Sequence, residues 1–81
     1  MPTVMRLGRY RFFFFSNESN EPAHIHVKAS GCEAKYWLDP VSLAANYGFK
    51  AHELTAIERL LNDYQEDLLE AWNEYFPKEG V

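Results

Sequence analysis

Two imidazoles and an ammonium, His24, His26 and Lys28, alternate with Ile25 and Val27 in the run Glu21-Pro22-Ala23-His24-Ile25-His26-Val27-Lys28. A period of two is that of a half-buried β-strand, whose successive side chains point to opposite faces. Ile25 and Val27 then face a core, while His24, His26 and Lys28 share the other face. Such a face has the groups to move a proton, bind a metal or hold a phosphate.

Cleavage of an RNA backbone needs one group to take the 2′-hydroxyl proton, another to protonate the leaving oxygen, and cations for the phosphate. His24 and His26 are the candidate catalytic pair. Arg11, Lys28 and Lys35 supply cations, and Trp37 supplies a ring on which a base can stack. A divalent metal is a second reading, because a His-x-His pair on a strand points two ligands the same way. The third ligand would come from Glu21, Glu33 or His52. No other cofactor is called for. Binding of RNA or a protein without catalysis is a third reading. Histidines that are only solvated or hydrogen-bonded to a neighbour are a fourth. The residues leave all four open, and they contain no Ser-His-Asp set, phosphate loop or Cys-x-x-Cys pair.

The elements that position these groups are legible. Residues 3–15 read as one long strand or two short ones, with Gly8 as a break or turn. Large aromatics on both of its faces imply a central or doubly covered strand. Residues 16–22 form a polar loop. Strand 24–29 meets strand 32–38 across Ser30-Gly31, a two-residue hairpin turn. The register places Lys28 opposite Glu33, His26 opposite Lys35 and His24 opposite Trp37. Asp39 as N-cap, Pro40 at the first helical position and Gly48 as a left-handed stop predict a short helix. A second helix runs from about 51 to 76, with the stripe Leu54, Ile57, Leu61, Tyr64, Leu68, Trp72, Tyr75, and Pro77 and Gly80 end it. The expected fold is α+β: an antiparallel sheet of three or four strands packed on a short helix and a long C-terminal one.

Eighty-one residues suffice for one domain, 1–81. Cys32 is the single cysteine, which excludes an intrachain disulfide and suits a reducing cytoplasm. The first residues lack an apolar signal core, and no apolar run approaches the roughly 20 residues of a membrane span. The net charge of −4 argues against indiscriminate nucleic-acid binding. The charge is uneven, however. Residues 1–38 carry +2 and residues 39–81 carry −6. A local basic face in the first half is compatible with that balance.

A helix of 25 residues spans roughly 38 Å, and a seven-residue strand only about 23 Å. The C-terminal third of the helix is therefore expected to overhang the sheet and present Leu68, Trp72, Tyr75 and Phe76 to a partner. That partner would be a second copy or another protein. The competing account has Trp72 closing the core of its own chain.

The runs Met1–Val4, Arg11–Glu18, Glu21–Val27, Glu33–Leu38, Gly48-Phe49 and Leu68–Phe76 together resemble a family of small bacterial proteins known as a domain of unknown function. Its Pro-x-His-x-His-Val segment is specific, and the resemblance covers nearly the whole chain. Lys50 departs from the small polar residue usual at that position, which touches a helix cap and leaves the candidate site alone. The resemblance implies a partner, because members are often encoded beside another small protein in an arrangement like a toxin–antitoxin pair. It implies no reaction. The resulting expectation is a component of such a module that binds or cleaves RNA through the His24/His26 face. The alternative is a non-catalytic protein-interaction module, or a metal-binding protein, acting through the sheet face or the C-terminal helix.

Overall fold

The structure, a computed structural model, describes residues 3–15 and 20–76. It contains β1 (Thr3–Leu7), β2 (Tyr10–Phe13), β3 (His24–Ala29), β4 (Cys32–Leu38), β5 (Val41–Tyr47), α1 (Ala51–Asp63) and α2 (Gln65–Tyr75). The five strands form one antiparallel meander in chain order. Both helices follow the sheet, so the fold is α+β, as expected. The expectation of three or four strands is corrected to five.

The hairpin turns have the required chemistry. Ser30 and Gly31 both take positive φ, 50° and 79°. That is the pattern of the turn whose twist matches the flanking strands. The β3–β4 register is the expected one over all six pairs, from His24 with Trp37 to Ala29 with Cys32. Gly8, at φ 59°, turns the chain between β1 and β2, so residues 3–13 are two strands.

The predicted helix over 39–48 is instead the edge strand β5. Asp39 and Pro40, joined by a cis peptide, make the two-residue connection from β4, and Leu38 pairs with Val41 immediately beyond it. A cap-and-proline signature opens a tight turn as readily as a helix, and here the ladder to β4 decides between them. Ala44 has no partner in that ladder, which shifts register between Lys35 and Tyr36. The Asn46 side chain brackets the exit from β5. It donates to the Phe49 carbonyl at 2.9 Å and accepts from the Phe49 N–H at 3.0 Å.

The long helix is broken once, at Tyr64, which leaves helical geometry with φ −110° and ψ 14°. The Tyr64 N–H still donates to the Leu60 carbonyl, and the Leu68 N–H to that of Tyr64. Near the break the Gln65 amide donates to the Leu38 carbonyl at 2.6 Å, pinning the start of α2 to the end of β4. At the other end, the weak cap at Lys50 is compensated by Glu53, which accepts from the Lys50 N–H at 2.9 Å. That bond, followed by an ion pair with Arg9, holds the Glu53 carboxyl below its ordinary range. Arg9 also donates to Ser30 at 3.3 Å. It thereby joins the tips of both N-terminal hairpins to the start of α1.

The core lies on one face of the sheet. Phe12, Ile25, Val27, Ala34, Tyr36 and Leu38 meet Ile57 and Leu61 of α1 and Leu68 and Trp72 of α2. The Tyr36 hydroxyl donates toward the Leu54 carbonyl at 3.3 Å and Glu58 at 3.2 Å. Burial first, and Glu58 second, push its pKa well above the ordinary phenol value. Leu68 and Trp72, expected on an overhang, are 1% and 7% exposed and belong to this core. The break at Tyr64 and the contacts of α2 replace the overhang with intrachain packing. No helix among the described residues is long and apolar enough to cross a membrane. Part of the polar loop expected over 16–22, and the helix-ending Pro77 and Gly80, lie outside the described residues.

Candidate nucleic-acid interface

The second face of the sheet is built in rows by the register. Arg6 pairs with Arg11, Arg11 with Lys28, Lys28 with Glu33, and Glu33 with Tyr47. These five side chains form one row across all five strands, opposite the face that carries the core. Next to it run Phe13, His26, Lys35 and Ala45, and then His24, Trp37 and Ser42. Arg6, Arg11 and Lys28 are therefore cross-strand neighbours on three adjacent strands. Like charges directly opposite one another are unfavourable in a sheet. Among the described residues neither Arg6 nor Lys28 forms an ion pair, and both are exposed.

The histidines share this face, but rings cover them. His26 stacks on Phe13 at 5.6 Å, with Phe15 edge-on at 4.4 Å, and is 6% exposed. His24 is fully buried. His26 lies 5.3 Å from it, Trp37 5.7 Å and Trp72 of α2 4.9 Å, each measured between ring centroids. Its Nδ1 lies 2.9 Å from the Pro22 carbonyl oxygen. A carbonyl can only accept, so this nitrogen carries the proton. His24 and His26 are thus brought together as expected, in an aromatic cluster rather than on an open surface.

Residues 10–73 match the family described as a domain of unknown function, DUF4160. The chain belongs to that family. No curated protein and no solved structure matches it.

Within this DUF4160 chain the expected substrate-binding residues occupy one face. Arg11 and Lys28 stand in the cationic row, with the Arg11 guanidinium 5.0 Å from the Phe13 ring. Lys35 donates to Glu21 at 2.6 Å and lies 4.7 Å from the centre of the Trp37 ring. Trp37 is half-buried. The metal reading finds less support. Glu21 and Glu33 stand 3.9 Å from Nδ1 of His24 and His26 respectively, His52 is on the exposed face of α1, and no group of three metal-ligating side chains occurs among the described residues. Of the expected partner-binding residues, Leu68 and Trp72 are buried, Phe76 is half-buried against Trp72 at 4.3 Å, and Tyr75 is exposed.

Arg6 is the residue that sequence reasoning missed. Its place in the row depends on how the Gly8 turn sets β1 against β2, and the turn length was not readable from Gly8 alone.

The burial of His24 changes what its removal should do. His24→Ala deletes a core ring and leaves the Pro22 carbonyl without its donor. The expected cost is about 2 kcal/mol or more, read as a lowered thermal midpoint. A variant as stable as the wild type would mean that the His24 ring does not pack as described.

Proposed function

We propose that the sheet face carrying the cationic row binds RNA, as single strand and without cleaving it, and that the chain does so as one member of a bacterial two-protein module of the toxin–antitoxin kind. The observation that carries the binding reading is the row Arg6, Arg11, Lys28 on three adjacent strands. A polyanion laid across the row meets cations on three adjacent strands, with Arg6 and Lys28 exposed to it. Charge elsewhere on the chain sharpens the contrast. The two helices on the opposite side hold seven acids and one basic residue, Arg59. A backbone phosphate is therefore attracted to one face and repelled from the other. Trp37, in the row beyond His26 and Lys35, and Phe15, edge-on to His26, are both half-buried and offer ring surface for unstacked bases.

The burial of His24 and the aromatic cover on His26 favour binding over cleavage. A general acid or base must reach the proton it transfers. The module context rests on the resemblance of the Pro22-to-Val27 segment and its flanking runs alone.

The test is fluorescence anisotropy of a labelled single-stranded RNA over a range of salt concentrations. The logarithm of the association constant should fall linearly with the logarithm of salt. Arg11→Ala and Lys28→Ala should each weaken binding and shallow that slope by about 0.7, one phosphate contact apiece. Arg59→Ala, on the helix side, should change neither. RNA recovered after long incubation should be intact. Absence of binding at low salt would refute the reading, and cleavage products that disappear in His26→Ala would replace it with a nuclease.

A further inference from the structure

We infer, resting on the RNA-binding reading of this face, that Glu21 holds Lys35 as a latch over Trp37, and that a phosphate of the bound strand opens it by taking the ammonium. Lys35 and Trp37 are two residues apart on β4 and share the face of the cationic row. The Lys35 ammonium lies 4.7 Å from the centre of the Trp37 ring, so it covers surface on which a base would stack. The same ammonium donates to a Glu21 carboxylate oxygen at 2.6 Å. Glu21 is fixed through its neighbours in sequence. The Pro22 carbonyl accepts from His24 at 2.9 Å, and the Ala23 carbonyl accepts from the Leu38 N–H at 3.0 Å. The carboxylate therefore stays with the sheet, while the flexible four-carbon stem of Lys35 can swing away from it.

A carboxylate oxygen and a phosphate oxygen make the same charge-assisted bond to an ammonium, so a phosphate can replace Glu21 on Lys35. The Lys35 and Glu21 side chains are 21% and 37% exposed, and an ion pair in contact with solvent is weak. The cationic row continues through Glu33, two residues from Lys35 on β4 and about 7 Å away. A strand seated on the row thus brings its phosphates and bases to Lys35 and Trp37 together. When Lys35 moves to a phosphate, the Trp37 ring is bared to the base beside it. Phosphate capture and base stacking are coupled through one side chain. A polyanion without bases makes only the first of these contacts.

Anisotropy titration with single-stranded RNA tests the latch. Glu21→Gln should bind about two- to fivefold more tightly than the wild type, because a weak surface ion pair no longer has to break. The gain should vanish in the Glu21→Gln/Lys35→Ala double variant, which should bind like Lys35→Ala. A gain that persists there is a general effect of removing negative charge and overturns the inference. Quenching of tryptophan emission by acrylamide gives a second readout on the wild type, since Trp72 is buried and Trp37 is the more accessible ring. Saturation with inorganic polyphosphate should raise the quenching, by drawing Lys35 off a ring that no base then covers. Saturation with RNA should lower it. In Lys35→Ala, polyphosphate should leave the quenching as it is. Wild-type quenching that does not respond to bound polyphosphate overturns the latch and leaves RNA binding standing. A wild type that binds no RNA at low salt removes both.

Discussion

Trp72→Ala should destabilise the fold by about 3–5 kcal/mol and leave the association state of the folded chain as it was. The Trp72 ring meets Phe14 edge-on at 5.2 Å, His24 at 4.9 Å and Phe76 at 4.3 Å. It is 7% exposed. Truncation removes these contacts together, opens a cavity under α2 and exposes His24 and its bond to Pro22. For a domain of this size such a loss corresponds to a fall in thermal midpoint of about 12 °C or more. Tyr75→Ala, three residues on and 37% exposed, should cost much less. A Trp72→Ala chain that melts like the wild type but no longer associates would restore the interface role that the sequence suggested for this residue.

That reversal shows where sequence was informative and where it was not. The β3–β4 hairpin was legible residue by residue. Two independent alternation patterns and a Ser30-Gly31 turn agree on one register, and a slip of one residue would turn Ile25 and Val27 to the wrong face. The helix stripe was legible too, since Ile57, Leu61, Leu68 and Trp72 are the residues that reach the core. The break at Tyr64 was not. It contains no glycine or proline, and the stripe runs through it unchanged. The extra strand was hidden because Asp39, Pro40 and Gly48 mark a hairpin turn and a strand exit as well as they mark helix ends. The adjacent Ala44 and Ala45, where the ladder shifts, blur the alternation that would have identified β5.

The candidate site divides in the same way. Face membership follows from alternation, so His24, His26, Lys28, Lys35 and Trp37 were assigned together correctly. Exposure does not follow from alternation. His24 is buried by Trp72, 48 residues away in sequence, and His26 by Phe13 and Phe15 from the neighbouring strand and the residues after it. A tertiary contact of that range has no local signature. The consequence is chemical, because two groups that read as an acid and base on an open surface become ring partners in a cluster. The cationic row, which was visible only in fragments, carries the binding proposal in their place.

Val27→Asp should unfold the domain. Val27 has no exposed surface, sits on the middle strand between Phe12 of β2 and Ala34 of β4, and belongs to the core that meets both helices. None of these neighbours is a cation, and the basic residues of β3 lie on the other side of the sheet. An ionised carboxylate at this position gains no partner, and the desolvation penalty is several kcal/mol even after relaxation. A chain of this length has a stability of only about 4–12 kcal/mol in total. The lost valine packing adds to the charge penalty, and together they are of the same size as that margin. Circular dichroism and solubility at neutral pH measure the outcome directly. Lys28→Asp, at the adjacent position on the opposite face, should fold normally, because its side chain is exposed, and should lose RNA binding instead. If Val27→Asp folds with an unchanged midpoint while Lys28→Asp does not, the two faces of β3 have been assigned the wrong way round, and the cationic row with them.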